Sequence, residues 1–141
     1  MIGAIMARRA IGKQFTAFNN HDLATFMENL SDDCTFVYPG NITPSGTYQG
    51  KPAIEGWFQR MFERFPTIEF TVRDICLRNA FDFVGNNVIA VHWDLHVISR
   101  EGVEARNIGV TIITVRCKKA VHLRDMLFDQ DGNWRRCWGA A

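Results

Sequence analysis

Residues 52–77 read PAIEGWFQRMFERFPTIEFTVRDICL, and the hydrophobic period changes inside that stretch. Ile54, Trp57, Phe58, Met61, Phe62 and Phe65 recur three and four residues apart, so they share one broad face of a helix. Pro52 suits the first helical turn, and Pro66 ends the helix. From Thr67 the spacing is two: Ile68, Phe70 and Val72 alternate with polar residues, and Ile75 and Leu77 continue one residue out of phase. A slip of that kind predicts a β-bulge near Arg73–Asp74, which bends the strand.

Outward from this junction, helical spacing lies on one side and strand spacing on the other. Toward the N-terminus, Ile11, Phe15 and Phe18 mark one short helix, and Leu23, Phe26, Met27 and Leu30 mark a second after the capping run Asn19-Asn20-His21-Asp22. Cys34 to Tyr38 reads as a strand, and the Pro- and Gly-rich stretch from Pro39 to Pro52 as a loop with a brief strand at Thr47-Tyr48-Gln49. Toward the C-terminus, strands are expected at about 87–99, 106–116 and 120–128. Trp134, Cys137 and Trp138 have helical spacing in the tail. Helices first and a meander afterwards predict an α+β fold, and the absence of repeats or linkers predicts a single domain over residues 1–141.

Apolar residues make up 47% of the chain, with eleven Phe against two Tyr, more than a minimal core needs. The surplus can line a cavity or a subunit contact. The formal charge of +1, without a basic stripe, argues against a nucleic-acid partner. Cys34, Cys76, Cys117 and Cys137 form no Cys-x-x-Cys or Cys/His pattern, which fits a reduced interior and predicts neither a bound metal nor a cofactor. The first nine residues place their charges after a short apolar stretch, the reverse of a secretory signal, and no run reaches membrane-spanning length. A cytoplasmic protein without a membrane partner is the expectation.

Chemistry concentrates on two strands. From Val88 to Ile98 one face carries Ile89, Val91, Trp93, Leu95 and Val97, and the other carries Val88, Ala90, His92, Asp94, His96 and Ile98. The mixed face either meets water or lines a pocket. On the last strand, Asp125 shares a face with Val121, Leu123 and Leu127, and a carboxylate in an apolar row is costly unless something pairs or uses it. A metal held by His92-x-Asp94-x-His96 is disfavoured, since the outer pair would lie about 13 Å apart along a strand.

Four segments in order resemble the nuclear transport factor 2-like superfamily, and within it the SnoaL-like polyketide cyclases and limonene-epoxide hydrolases. They are Phe18-Asn19-Asn20-His21-Asp22-Leu23, Leu30-Ser31-Asp32-Asp33-Cys34-Thr35-Phe36, Tyr48-Gln49-Gly50-Lys51-Pro52-Ala53-Ile54 and the run from Lys119 to Asp129. The resemblance implies a cone: a strongly curved, antiparallel or mixed sheet wrapped around the long helix, preceded by N-terminal helices. It implies a pocket inside and a convex face used for homodimers. The hydrolases' Arg-x-Asp and last-strand Asp match His92, Asp94 and Asp125, with His in place of Arg. Their Tyr-x-Asn falls on Tyr38-Pro39-Gly40, with Asn41 one place late.

From that resemblance the candidate catalytic residues are Asp125, Asp94, His92 and Tyr38. Two carboxylates sharing a dry pocket cannot both ionise cheaply, so Asp125 is expected as base, Asp94 as proton donor, His92 as a bridge and Tyr38 as the group that orients water or a substrate oxygen. Trp57, Phe58, Met61, Phe36 and Ile98 are the expected walls of the substrate pocket. Cofactor-free epoxide hydrolysis, isomerisation or cyclisation of a small apolar molecule would use these parts. A non-catalytic ligand-binding or dimerisation module of the same fold is the alternative.

Overall fold

A computed structural model describes residues 2–128 and 132–139. Helices α1 (Ile2–Asn19) and α2 (Leu23–Glu28) precede strands β1 (Leu30–Tyr38) and β2 (Gly46–Gln49). Helix α3 (Lys51–Arg64) leads into β3 (Thr67–Leu77), β4 (Asn87–Ile98), β5 (Glu104–Arg116) and β6 (Lys119–Phe128), and α4 (Asn133–Cys137) follows. The strands form one curved, unclosed six-stranded sheet in the order β2-β1-β6-β5-β4-β3. All neighbours are antiparallel except β1 and β6, which run parallel.

Local chemistry explains the boundaries. Asp22 caps α2 by accepting the Thr25 N–H at 3.1 Å. Pro52 sits in the first turn of α3, and at its end the Phe65 N–H closes on the Met61 carbonyl before Pro66. The period slip in β3 is a real register shift, between Val72 and Asp74, as the alternation predicts. Two sequence expectations move: α1 is one long helix starting well before Ile11, and Leu30 opens β1 instead of closing α2.

The helices lie on the concave side of the sheet, α1 against β3 and α3 against β1 and β2. Phe18 joins them, its ring 4.9 to 5.5 Å from those of Phe26, Phe58, Phe62 and Phe70. At the other end Phe65 stacks on Trp134 and Trp138 meets both rings edge-on, which docks α4 onto α3. Asp129, the last residue of the closing motif, lies outside the described residues.

Candidate functional site

Between the concave face and the helices lies a cavity of about 400 Å³. Its walls are almost wholly apolar: Phe15 and Phe18 from α1, Trp57, Phe58 and Met61 from α3, Phe36 and Tyr38 from β1, and Trp93 and Leu95 from β4. Exposed Met6, Phe83 and Lys118 border it on the solvent side. Four of the five expected pocket walls, Phe36, Trp57, Phe58 and Met61, line this space, and so does Tyr38 from the expected catalytic set.

Asp125 projects into the same cavity. Burial pushes its carboxyl up from 3.8 to about 6, partly opposed by a hydrogen bond from Thr111. That bond is 2.7 Å long, from Thr111 Oγ1 to Asp125 Oδ1. Trp93 Nε1 in turn donates to Thr111 Oγ1 at 2.9 Å. An indole N–H can only donate, so the threonine oxygen must accept there and has its own proton left for the carboxylate. The relay from Trp93 through Thr111 to Asp125 therefore has a fixed direction. It rests on strand register: Thr111 faces Asp125 across β5 and β6, and Gly109 faces Trp93 across β4 and β5. A Cβ at Gly109 would collide with the indole and with the Met126 carbonyl, so glycine lets the ring lie flat over β5.

The same register corrects the expected catalytic set. Val91, Thr111 and Asp125 are cross-strand partners and share the concave face, so the even-numbered residues of β4 point away from it. Asp94 lies on the convex side in an ion pair with Arg73, whose Nε donates at 2.7 Å. His92 meets Asp74 there at 3.0 Å, and His96 meets Glu104 at 2.8 Å. Ile98 shares that face and is not a pocket wall. The reason is energetic: turning the odd face inward buries Ile89, Val91, Trp93, Leu95 and Val97, whereas the even face would drag two imidazoles and a carboxylate out of water. Asp125 thus owes its raised proton affinity to burial, not to a second carboxylate.

Tyr38 is in the cavity, and its hydroxyl accepts a 2.8 Å hydrogen bond from Trp134 Nε1. Asn41 is exposed and binds Arg135, away from the cavity. Of the cysteines, Cys34 and Cys137 are buried, and Cys76 and Cys117 are exposed. Burial pushes the Cys34 thiol up to about 11, so it is not an activated nucleophile. Among the described residues no group of three or more His, Cys, Asp and Glu is placed to hold a metal ion.

Among the cavity residues that sequence reasoning did not assign to the site are the polar-bearing Thr111, Trp93 and Gln14. Gln14 could have been found, because it interrupts the α1 stripe of Ala7, Ala10, Ile11 and Phe18 as Asp125 interrupts that of β6. Thr111 could not, since only the register pairs it with Asp125.

A curved sheet closed by helices over a largely apolar cavity, with Asp125 half-buried in its wall, is the architecture of a nuclear transport factor 2-like protein. The chain belongs to the SnoaL-like domain family, whose model matches residues 11–123. No curated protein matches it. Bal32a, from a soil-derived mobile gene cassette, superposes with a TM-score of 0.82 at 15% identity over 96% of this chain and 98% of that one. A nuclear transport factor 2-like protein of unknown function from Burkholderia pseudomallei superposes at 0.79 with 16% identity, covering 94% and 97% of the two chains. TerC, co-crystallised with polyporic acid, superposes at 0.70 with 20% identity over 85% and 89%. At these identities the likeness is one of fold. No helix is long and apolar enough to cross a membrane among the described residues.

Proposed function

We propose that the protein is an acid/base enzyme that moves a proton on a small apolar molecule held in the cavity, with Asp125 as the base. The observation that carries this reading is the Asp125 carboxyl set in a largely apolar enclosure, oriented by Thr111 and Trp93 and holding its proton to about pH 6. A base of that strength is half-ionised at about pH 6 and mostly ionised at neutrality, yet still basic enough to take a proton from an activated carbon. Asp125 Oδ1 is occupied by Thr111, and Oδ2 has no protein partner among the described residues. That oxygen would take a proton from a carbon next to a carbonyl and return it to another carbon of the same delocalised anion. No atom is lost, and one group serves both steps.

Isomerisation or a related carbon-acid reaction is thereby favoured over epoxide hydrolysis. Acid-assisted epoxide opening needs a second proton donor, and Asp94, the expected one, is on the far side of the sheet. Co-crystallisation of TerC with polyporic acid agrees with a small organic guest in this fold. The convex face, with Met126 and Phe128 exposed beside Val110 and Ile108, supports a homodimer through that surface.

Exchange in heavy water tests the chemistry without a known substrate. Apolar cyclic ketones incubated with the protein should lose α-hydrogens to deuterium by NMR, and Asp125→Asn should reduce the enhancement by at least about a hundredfold. Binding without exchange, or equal exchange by the variant, would leave a carrier in place of an enzyme.

A further inference from the structure

Nearly every polar group inside the cavity is already engaged. Thr111 donates to Asp125, Trp57 Nε1 to the Pro44 carbonyl, Trp134 Nε1 to Tyr38, and the Asn87 amide to Asn79. Apart from Asp125 Oδ2, Gln14 is the exception. Its Nε2 and Oε1 are both cut off from solvent and both without a hydrogen-bond partner among the described residues, on a residue that lines the cavity from α1. Leaving such groups unpaired is among the costliest things a folded chain can do, because each forfeits its hydrogen bonds to water. Ala7, Ala10, Ile11 and Phe18 on the same helix face are apolar, and a methionine would fill the place with similar bulk and no unpaired atoms. Packing therefore gives no reason for an amide here.

We propose that Gln14 determines the specificity of the cavity by recognising an oxygenated, otherwise apolar ligand. A primary amide presents donors and an acceptor side by side in one plane. A ligand satisfies both ends when it carries a carbonyl, to accept from Nε2, and a hydroxyl on a neighbouring carbon, to donate to Oε1. An apolar hydroxy-ketone has that arrangement, and its hydrocarbon skeleton suits the aromatic walls. The inference rests on the cavity being a small-molecule site, and it adds that the site selects by oxygen pattern as well as by shape. A pure hydrocarbon would leave the amide unpaired and gain nothing from it.

Calorimetric titration of tetralin, tetralone and hydroxytetralone into wild type, Gln14→Met and Asp125→Asn tests this. Wild type should bind more tightly along that series. Gln14→Met should bind tetralin as wild type does, bind hydroxytetralone about tenfold more weakly, and melt at the same or a higher temperature. A merely structural glutamine would instead lower the melting temperature when replaced, and that outcome overturns the proposal. So does a wild-type protein indifferent to the oxygens, which needs no variant to observe. Asp125→Asn should keep the preference for the oxygenated ligands. If that preference stands while neither protein exchanges α-hydrogens, the base assignment fails and the role of Gln14 survives.

Discussion

Asp125 carries the pH behaviour of the molecule. Its folded carboxyl holds a proton to about pH 6, whereas an unperturbed one releases it near 3.8, so folding takes up a proton between those values. For this raised acid, stability is greatest below about pH 4, falls as the pH rises to about 6, and is level above that. Asp125→Asn removes the buried charge and should stabilise the protein at about pH 8 by on the order of 2–3 kcal/mol, the gain vanishing near pH 4. Urea unfolding at the two pH values checks the sign. Activity runs the other way, since a base must be ionised: turnover should rise through about pH 6 and then level off. Thr111→Val deletes the one interaction that holds this carboxyl down, so that rise should move to higher pH. The same change strands the Trp93 N–H and should cost about 1–3 kcal/mol. A pH–rate profile unmoved by Thr111→Val would show that the relay does not tune the base.

Strands β4, β5 and β6 act as one element, because their register decides which side chains meet. Gly109 is its most sensitive point. Gly109→Ala would push the Trp93 ring off β5, with an expected loss of about 1–3 kcal/mol and a changed tryptophan emission. An unchanged melting temperature and spectrum would mean that the indole does not lie there. The β5–β6 turn is equally specific: Cys117 and Lys118 both take positive φ, 48° and 65°, which matches a two-residue hairpin without glycine. Local sequence exposed the bulge in β3, the helix caps and the α3 stripe, all of which depend on neighbours within a few positions. It did not expose the inward turn of β4, because that strand has apolar residues on both faces and family likeness favoured the wrong one.

Across the whole molecule the sheet separates two environments. The concave side is largely apolar and holds Asp125 and Gln14. The convex side carries the charge pairs of Asp94, His92 and His96 around an apolar strip ending at Met126, which is 42% exposed, and Phe128, which is 54% exposed. If that strip joins two copies, Val110→Glu together with Met126→Glu should convert a dimer to a monomer while ketone binding in the cavity persists. Light scattering on the eluted protein reads the mass directly, and an unchanged mass would exclude this face. The amino-acid order by itself determined the α+β class, nearly all the elements and the oddity of Asp125, since periodicity and the cost of burying a carboxylate are local properties. Tertiary structure alone decided that Asp94 and His92 stand apart from Asp125, and that Thr111, Trp93 and Gln14 surround the cavity with it. Which face of a strand turns inward depends on the pairing of whole strands and on the helices that cover them, and no single segment contains that information.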